Sequence, residues 1–314
     1  MANAREIKGR IDSVRNTKKI TNAMYLISSA KLRKAKEGLA KTRPYFDATE
    51  HEIKRIFQST NDVDSHYFYP KDRSKEARKQ AFLVITADRG LAGGYNHNVI
   101  RAAEAEMKKH RNVRLYVVGD YGRRYFKKHK GPIEETFYYT AQDPTFARAR
   151  EISALLLDEY DSGRADDITV IYSDMESELS CVVRMARLLP FSRKDFLDAG
   201  ESRDKEDPDA GKSSNKEYRF EPSPTSVLDS MIPSYVAGFI YGAMVDSFSA
   251  EQNSRMNAMS NANRNAEELL TKLKKEYNRV RQAAITQQIT EVSAGAKAQR
   301  MRRLKKARQR MEER

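Results

Sequence analysis

The chain has 314 residues, with 58 Lys and Arg against 44 Asp and Glu, 39% hydrophobic and 32% charged residues, and one cysteine. It is long enough for one or two cores but, with a mean hydropathy of −0.78, too polar to be one large ordinary globule. The longest apolar stretch, eleven positions at 235–245, is about half of the roughly 20 residues a membrane span needs, so no transmembrane helix is expected.

The N-terminus goes directly into the charged helical sequence at Arg5-Glu6, with neither an apolar signal segment nor an acid-free leader. A cytoplasm-like compartment, bacterial by preference, is therefore expected. Cys181 alone excludes an intrachain disulfide framework and a Cys-rich zinc site, and among Val182, Val183 and Met185 it reads as a buried structural thiol. His51, His66, His97, His110 and His129 include no pair at ligand spacing on one helix face, so no metal site or His-based triad is expected. Residues 1–43 carry twelve basic and three acidic residues, and residues 297–314 nine and two, which leaves −2 for the remainder. Basic ends of this kind attract acidic protein surfaces, nucleic acid or an anionic membrane.

In chain order, residues 5–57 read as one long helix whose narrow apolar stripe passes through Ile7, Ile11, Val14, Ile20, Met24 and Ile27. Pro44 is expected to bend or interrupt it. The period then changes: 81–86 reads as a buried strand leading into Asp88-Arg89-Gly90-Leu91-Ala92-Gly93-Gly94. A helix near 99–110, a strand at 113–118, a turn at 119–122, a helix, a strand near 133–139, a helix at 145–160 and a strand at 167–172 complete a small α/β domain with a largely parallel sheet.

Residues 199–216 lack apolar periodicity and read as a flexible charged insertion. Ser223-Pro224 offers an N-cap for a short helix through Met231, and Pro233 is expected to start a second, much longer one. Its stripe passes through Val236, Ile240, Met244, Leu269, Leu273, Tyr277, Val280, Ala284 and Val292. Two long, narrow-striped helices at opposite ends of a chain satisfy their stripes most simply by pairing as an antiparallel coiled coil. Between Ser247 and Arg264 the stripe is diluted with Ser, Asn and Gln, so there the pairing should weaken or another subunit should cover it.

Several segments resemble one known family. They are Arg5-Glu6-Ile7-Lys8 through Asn16-Thr17-Lys18-Lys19-Ile20-Thr21-Asn22-Ala23-Met24, the strand and loop Val84 to Asn98, Tyr218 to Pro222, Ser249 to Met256 with Ala258-Met259, and above all Tyr277-Asn278-Arg279-Val280-Arg281-Gln282-Ala283-Ala284-Ile285-Thr286 to Glu291. Nearly the whole chain is similar to the γ subunit of F-type ATP synthase. The resemblance implies an antiparallel coiled coil of the terminal helices plus a central Rossmann-like α/β domain. Its parts would be a coiled-coil helix at 1–60, the α/β domain at 75–195, a charged insertion and foot loop at 196–222, a second coiled-coil helix at 223–298 and a basic extension at 299–314.

It also implies a non-catalytic rotor shaft, inserted in a ring of α and β subunits and based on the c-ring. Rotation of such a shaft changes each β site in turn through differential contacts. Implied partners are the α, β and ε subunits and the c-ring, with no nucleic acid and no cofactor. Membrane association would come only through the complex, on the cytoplasmic face of a bacterial membrane. By the same resemblance Lys18, Lys19 and Met24 match a stretch that touches an acidic lever of β, and Arg281, Gln282 and Thr286 match a hydrogen-bonding catch on β. Phe220 and Glu221 match the foot near ε and the c-ring.

This chain departs from the family pattern at Ala92, where a cysteine is frequent, in the long insertion, and in about sixteen residues beyond the familiar C-terminus. Two other classes stay open on the residues alone. A nucleic-acid-binding coiled coil would use the basic ends, although no base-reading motif is present. An enzyme would use the central domain, although Gly90, Gly93 and Gly94 fit neither phosphate-loop pattern and instead read as a tight turn. Gly238 and Gly242, four apart, read as close helix packing within the foot.

Overall fold

In the computed structural model, which describes residues 4–60, 63–69, 78–137, 141–176, 180–198 and 220–312, the central alternation becomes a five-stranded sheet. Its strands are β1 (Lys79–Ile85), β2 (Asn112–Val118), β3 (Ile133–Thr136), β4 (Asp167–Met175) and β5 (Cys181–Leu189), in the order β3-β2-β1-β4-β5. The first four pair in parallel; β5 runs antiparallel to β4. The strand β5 was not anticipated from the sequence, and the expected turn at 119–122 is instead the start of a helix.

The helices are α1 (Ala4–Ser59), α2 (Tyr95–Met107), α3 (Asp120–Lys128), α4 (Phe146–Asp161), α5 (Arg193–Asp198) and α6 (Pro224–Glu312). In β1 successive side chains point to opposite faces of the sheet, and both faces are buried. Phe82 and Val84 meet Val99, Ile100, Ala103 and Phe126 of α2 and α3. Leu83 and Ile85 join the larger core, where Ile152 and Leu156 of α4 pack with Ile53, Ile56 and Phe57 of α1 and Ile232, Val236 and Ile240 of α6.

Both prolines expected to break long helices lie inside unbroken ones: α1 continues through Pro44, and α6 is one helix across Pro233. A helix-interior proline costs about 3 kcal/mol. Around Pro233 that cost is offset by Leu228, Ile232, Val236 and Ile240, each fully buried. The insertion at 199–216 lies outside the described residues.

The chain divides into two compact units, Met1–Met24 with Met259–Arg314, and Tyr25–Ala258. In the first, Ile7 and Ile11 of α1 pack on Leu273 of α6, and Lys18 pairs with Glu267 while Thr21 hydrogen-bonds Asn263. Numbers rise on one helix as they fall on the other, so the pairing is antiparallel. In the second unit the same two helices pair again. Gly238 lets them approach closely, since a Cβ there would lie 2.1 Å from the Phe46 ring, which is itself packed among Tyr45, Phe146 and Tyr241. Gly242 has nothing within 4 Å of its Cβ direction and is not part of this contact. Gly238→Ala should cost about 2 kcal/mol, most of it recovered when Phe46→Leu is added; a double-mutant cycle by urea unfolding would show additivity instead if the two positions were independent.

Burial along α1 corrects the expected stripe. One line of covered positions follows a strict 4-3 alternation, Ile7, Ile11, Val14, Lys18, Thr21, Tyr25, Ser28, Leu32, Ala35, Leu39, Thr42, Phe46, Thr49, Ile53 and Ile56, all buried or half-buried, and Met24, Lys31 and Gly38 in the adjoining row are half-buried as well. Ile20 and Ile27 lie off that line and are exposed, at 62% and 56%. On α6, Leu269 and Val292 are likewise exposed.

Candidate functional site

Two kinds of surface matter here: the crevice that an α/β sheet offers to ligands, and the helix faces left uncovered. The sheet order places β2 on one side of β1 and β4 on the other, so the chain reverses direction across the sheet at β1/β4. In open α/β sheets this switch point, at the carboxyl ends of the strands, is where ligands bind. Here α6 fills it.

The Tyr95 hydroxyl and Ser247 Oγ are 2.7 Å apart, and the same Oγ lies 3.5 Å from the backbone N–H of Ser173 at the end of β4. Arg255 donates to the carbonyl of Gly90 at 3.2 Å and pairs with Glu251 at 2.6 Å. Ser247, Ser249, Glu251, Gln252, Asn253 and Arg255 are all buried. The polar dilution of 247–264, expected to weaken pairing or to require another subunit, is therefore covered from 247 to 255 by this chain's own α/β domain. The space left between Thr86, Tyr95, Ser247 and Glu251 is too small for a water molecule, which counts against a nucleotide site. Burial raises the Tyr95 hydroxyl far above the ordinary tyrosine range.

The Gly90–Gly94 loop that makes these contacts is the tight turn expected, with Leu91 at φ 64° and Gly93 at φ 56°. Cys181 is half-buried beside it, with the Ser254 hydroxyl 3.7 Å from its sulfur.

Also in the second unit, half-buried Asp246 of α6 faces Asp174 of β4, Arg43 of α1 and Arg184 of β5. Burial first and Asp174 second push its carboxyl up to about 6, against the two arginines. A carboxyl whose folded pKa exceeds its unfolded value favours the fold fully below about pH 4 and loses that contribution as pH rises through about 6. Asp246→Asn should therefore be more stable than the parent by about 1–2 kcal/mol at pH 8, after allowance for partial exposure, with the gain gone near pH 4. Thermal melts across that range would refute it if the two proteins differed equally at every pH.

The named interface residues fall into three groups. Lys18 is half-buried and ion-paired with Glu267, while Lys19 is exposed and Met24 half-buried. Arg281, Gln282 and Thr286 lie on a stretch of α6 in which every residue from 281 to 303 is exposed. Phe220 is half-buried against the large core, whereas Glu221 is exposed. The sequence reading missed the apolar residues displayed with them: Ile285, Ile289 and Val292 on α6, and Ile20, Leu26 and Ile27 on α1, all exposed. On α1 the available signal was that Ile20, Leu26 and Ile27 fall off the 4-3 line.

A family model described as ATP synthase matches residues 3–299. A chain named ATP synthase gamma chain from Caldanaerobacter subterraneus is 43% identical over 293 residues, covering 93% of this chain and 98% of the relative. This chain belongs to the γ family of ATP synthases. Another family member, the sodium-ion-specific gamma chain of Acetobacterium woodii, is 36% identical over 301 residues, covering 94% of this chain and 98% of the relative. The γ-family fold is also that of a chain in the Euglena gracilis mitochondrial ATP synthase in a rotational state, with a TM-score of 0.64 and 14% identity over 94% of both chains. A chain of the Tetrahymena thermophila central stalk and c-ring has a TM-score of 0.55 at 22% identity, covering 77% of this chain and 99% of the other. The family match stops at residue 299, short of the basic end of α6. No described helix is long and apolar enough to cross a membrane.

Proposed function

We propose that this chain is the rotor shaft of an ion-translocating ATP synthase, transmitting rotation of a c-ring to the nucleotide sites of an α/β ring while doing no chemistry itself. The observation that carries the reading is α6 beyond Val280. It is a helix with all sides uncovered from 281 to 303, bearing exposed Ile285 (45%), Ile289 (64%) and Val292 (74%). These three, at i, i+4 and i+7, line one face of a helix left bare on all sides, an unpartnered apolar stripe of the kind that a partner subunit covers.

Catalysis then resides on the β subunits. Lys19, with Lys18 and Met24, meets an acidic element of β, and Arg281, Gln282 and Thr286 form a separate catch of hydrogen bonds to a β subunit, Arg281 being suited to bidentate carboxylate contact. Glu221 faces ε or the c-ring, and Phe220 anchors that loop to the core. The parts keep the functional division into helices 1–60 and 223–298, an α/β domain at 75–195, a foot loop at 196–222 and an extension at 299–314. The complex sits on the cytoplasmic face of a bacterial membrane.

The test is co-expression of the tagged chain with the α and β subunits of its source, followed by ATPase assay of the eluate. An α/β complex is expected, with steady hydrolysis several-fold lower when Arg281→Ala and Gln282→Ala are combined. Recovery of the chain alone, monodisperse and without α or β, would sink the proposal.

A further inference from the structure

The near-neutral sum over residues 44–296 conceals a local concentration of charge. Residues 95–130, which form α2, β2 and α3, contain ten basic and three acidic residues. The strands β1, β2 and β3 are parallel, so the connecting helices α2 and α3 both run back against them and end at the same edge of the sheet. The two helices lie side by side, with the Tyr125 hydroxyl donating to Glu104 at 3.1 Å. Their C-terminal ends therefore bring together Lys108, Arg111, Lys127, Lys128 and Lys130. All five are exposed, and none has a carboxylate within 4.0 Å among the described residues; neighbouring Lys109 pairs with Glu106. This edge is opposite the one covered by Ser247–Arg255.

We propose that this edge of the α/β domain is an electrostatic contact for a surface of anionic phospholipid headgroups. Complementing two helix macrodipoles explains a charge or two at each C-terminus. It does not explain Arg111 and Lys130, which lie beyond the helices. Four of the five cations are lysines, compact point charges on flexible stems, without the rigid fork by which arginine fits a fixed carboxylate. Of the aromatics beside the cluster, Phe126 is buried and Tyr125 is hydrogen-bonded to Glu104 and stacked on His129, so neither offers a free platform for bases. A diffuse patch of exposed cations on flexible stems, without stereochemical demand, matches a fluid anionic surface, to which each lysine or arginine adds attraction.

The full-length chain would be sedimented with phosphatidylcholine vesicles, with and without about one-third phosphatidylglycerol, at ~0.1 M and ~0.5 M salt. Two variants with four charges removed are compared: Lys108→Gln, Arg111→Gln, Lys127→Gln, Lys128→Gln at the edge, and Lys297→Gln, Arg300→Gln, Arg302→Gln, Arg303→Gln on α6. Circular dichroism melts verify that both fold. Expected is salt-sensitive binding to the anionic vesicles only, reduced at least about tenfold by the edge variant and less than about twofold by the α6 variant. Equal losses from both variants, or no binding to anionic vesicles, would overturn the proposal, as would retention on immobilised polyglutamate with no vesicle binding, which would assign the edge to an acidic protein. No α or β subunit takes part, so failure here leaves the shaft proposal standing.

Discussion

Replacing Arg255 by alanine is expected to destabilise the protein by about 3–5 kcal/mol at pH 8, because it strands a buried carboxylate. The Glu251 side chain is 2% exposed and that of Arg255 10%, and their ion pair closes the crevice at the ends of β1 and β4. Burial already pushes the Glu251 carboxyl above its ordinary range, Arg255 pulls it down, and Asp88 pushes it up again. Without Arg255 the upward influences dominate and the folded pKa of Glu251 rises further above its unfolded value. The sign then follows: Arg255→Ala is weakest at high pH and recovers as pH falls and Glu251 takes a proton. Adding Glu251→Gln should restore much of the loss at pH 8 and remove that pH dependence. Denaturant unfolding of both variants between pH 5 and 8 decides the matter; a deficit in Arg255→Ala that is constant with pH would mean that the arginine acts through packing or through its bond to Gly90 alone.

This pair also shows where sequence patterns ran out. The parallel strands were legible because their residues are apolar on both faces, as in β1, and α2 to α4 followed from the alternation. The strand β5 was not. It is an edge strand with only Leu188 and Leu189 buried, and its centre holds Arg184 and Arg187, which pair with Asp174 and Asp167. Salt bridges to the next strand replace the apolar alternation that would have marked it.

The long helices were legible, but not the face each buries. Lys18, Thr21 and Ser28 occupy covered positions of α1, while the more hydrophobic Ile20 and Ile27 face outward. A search by hydrophobicity takes the wrong residues when outward positions are themselves kept apolar. The segment from Ser247 to Arg255 was misread for the complementary reason. Its polar residues are buried because the loop at 87–96 and the end of β4 supply their partners, and those partners are distant in sequence. Of the interface candidates, the exposed positions on α6 came from a resemblance in Tyr277 to Glu291, and no periodicity distinguished Arg281 from any other exposed arginine.

Gly119→Ala is expected to cost about 3 kcal/mol or more and to impair folding of the second unit. At φ 96° the residue is in a region that L side chains seldom adopt, and a Cβ there would lie 2.1 Å from the Thr86 carbonyl oxygen. The obstacle is backbone, and it is held in place: the Thr86 N–H and hydroxyl both donate to the Val118 carbonyl, at 2.8 and 2.9 Å, and the hydroxyl accepts from the Gly122 N–H at 3.1 Å. Relief would therefore require β1 and β2 to separate at their carboxyl ends, where the loop that holds Arg255 begins. Gly163 provides the control, since it too has positive φ, 66°, but nothing within 4 Å of its Cβ direction. Gly163→Ala should lose only about 1 kcal/mol, the conformational cost by itself. The difference between the two substitutions, measured by denaturant unfolding, reports the collision with Thr86 together with the added strain of φ 96°, ψ 133°, a region less open to L side chains than that of Gly163. Equal losses would mean that the β1–β2 junction yields more easily than its hydrogen bonds indicate.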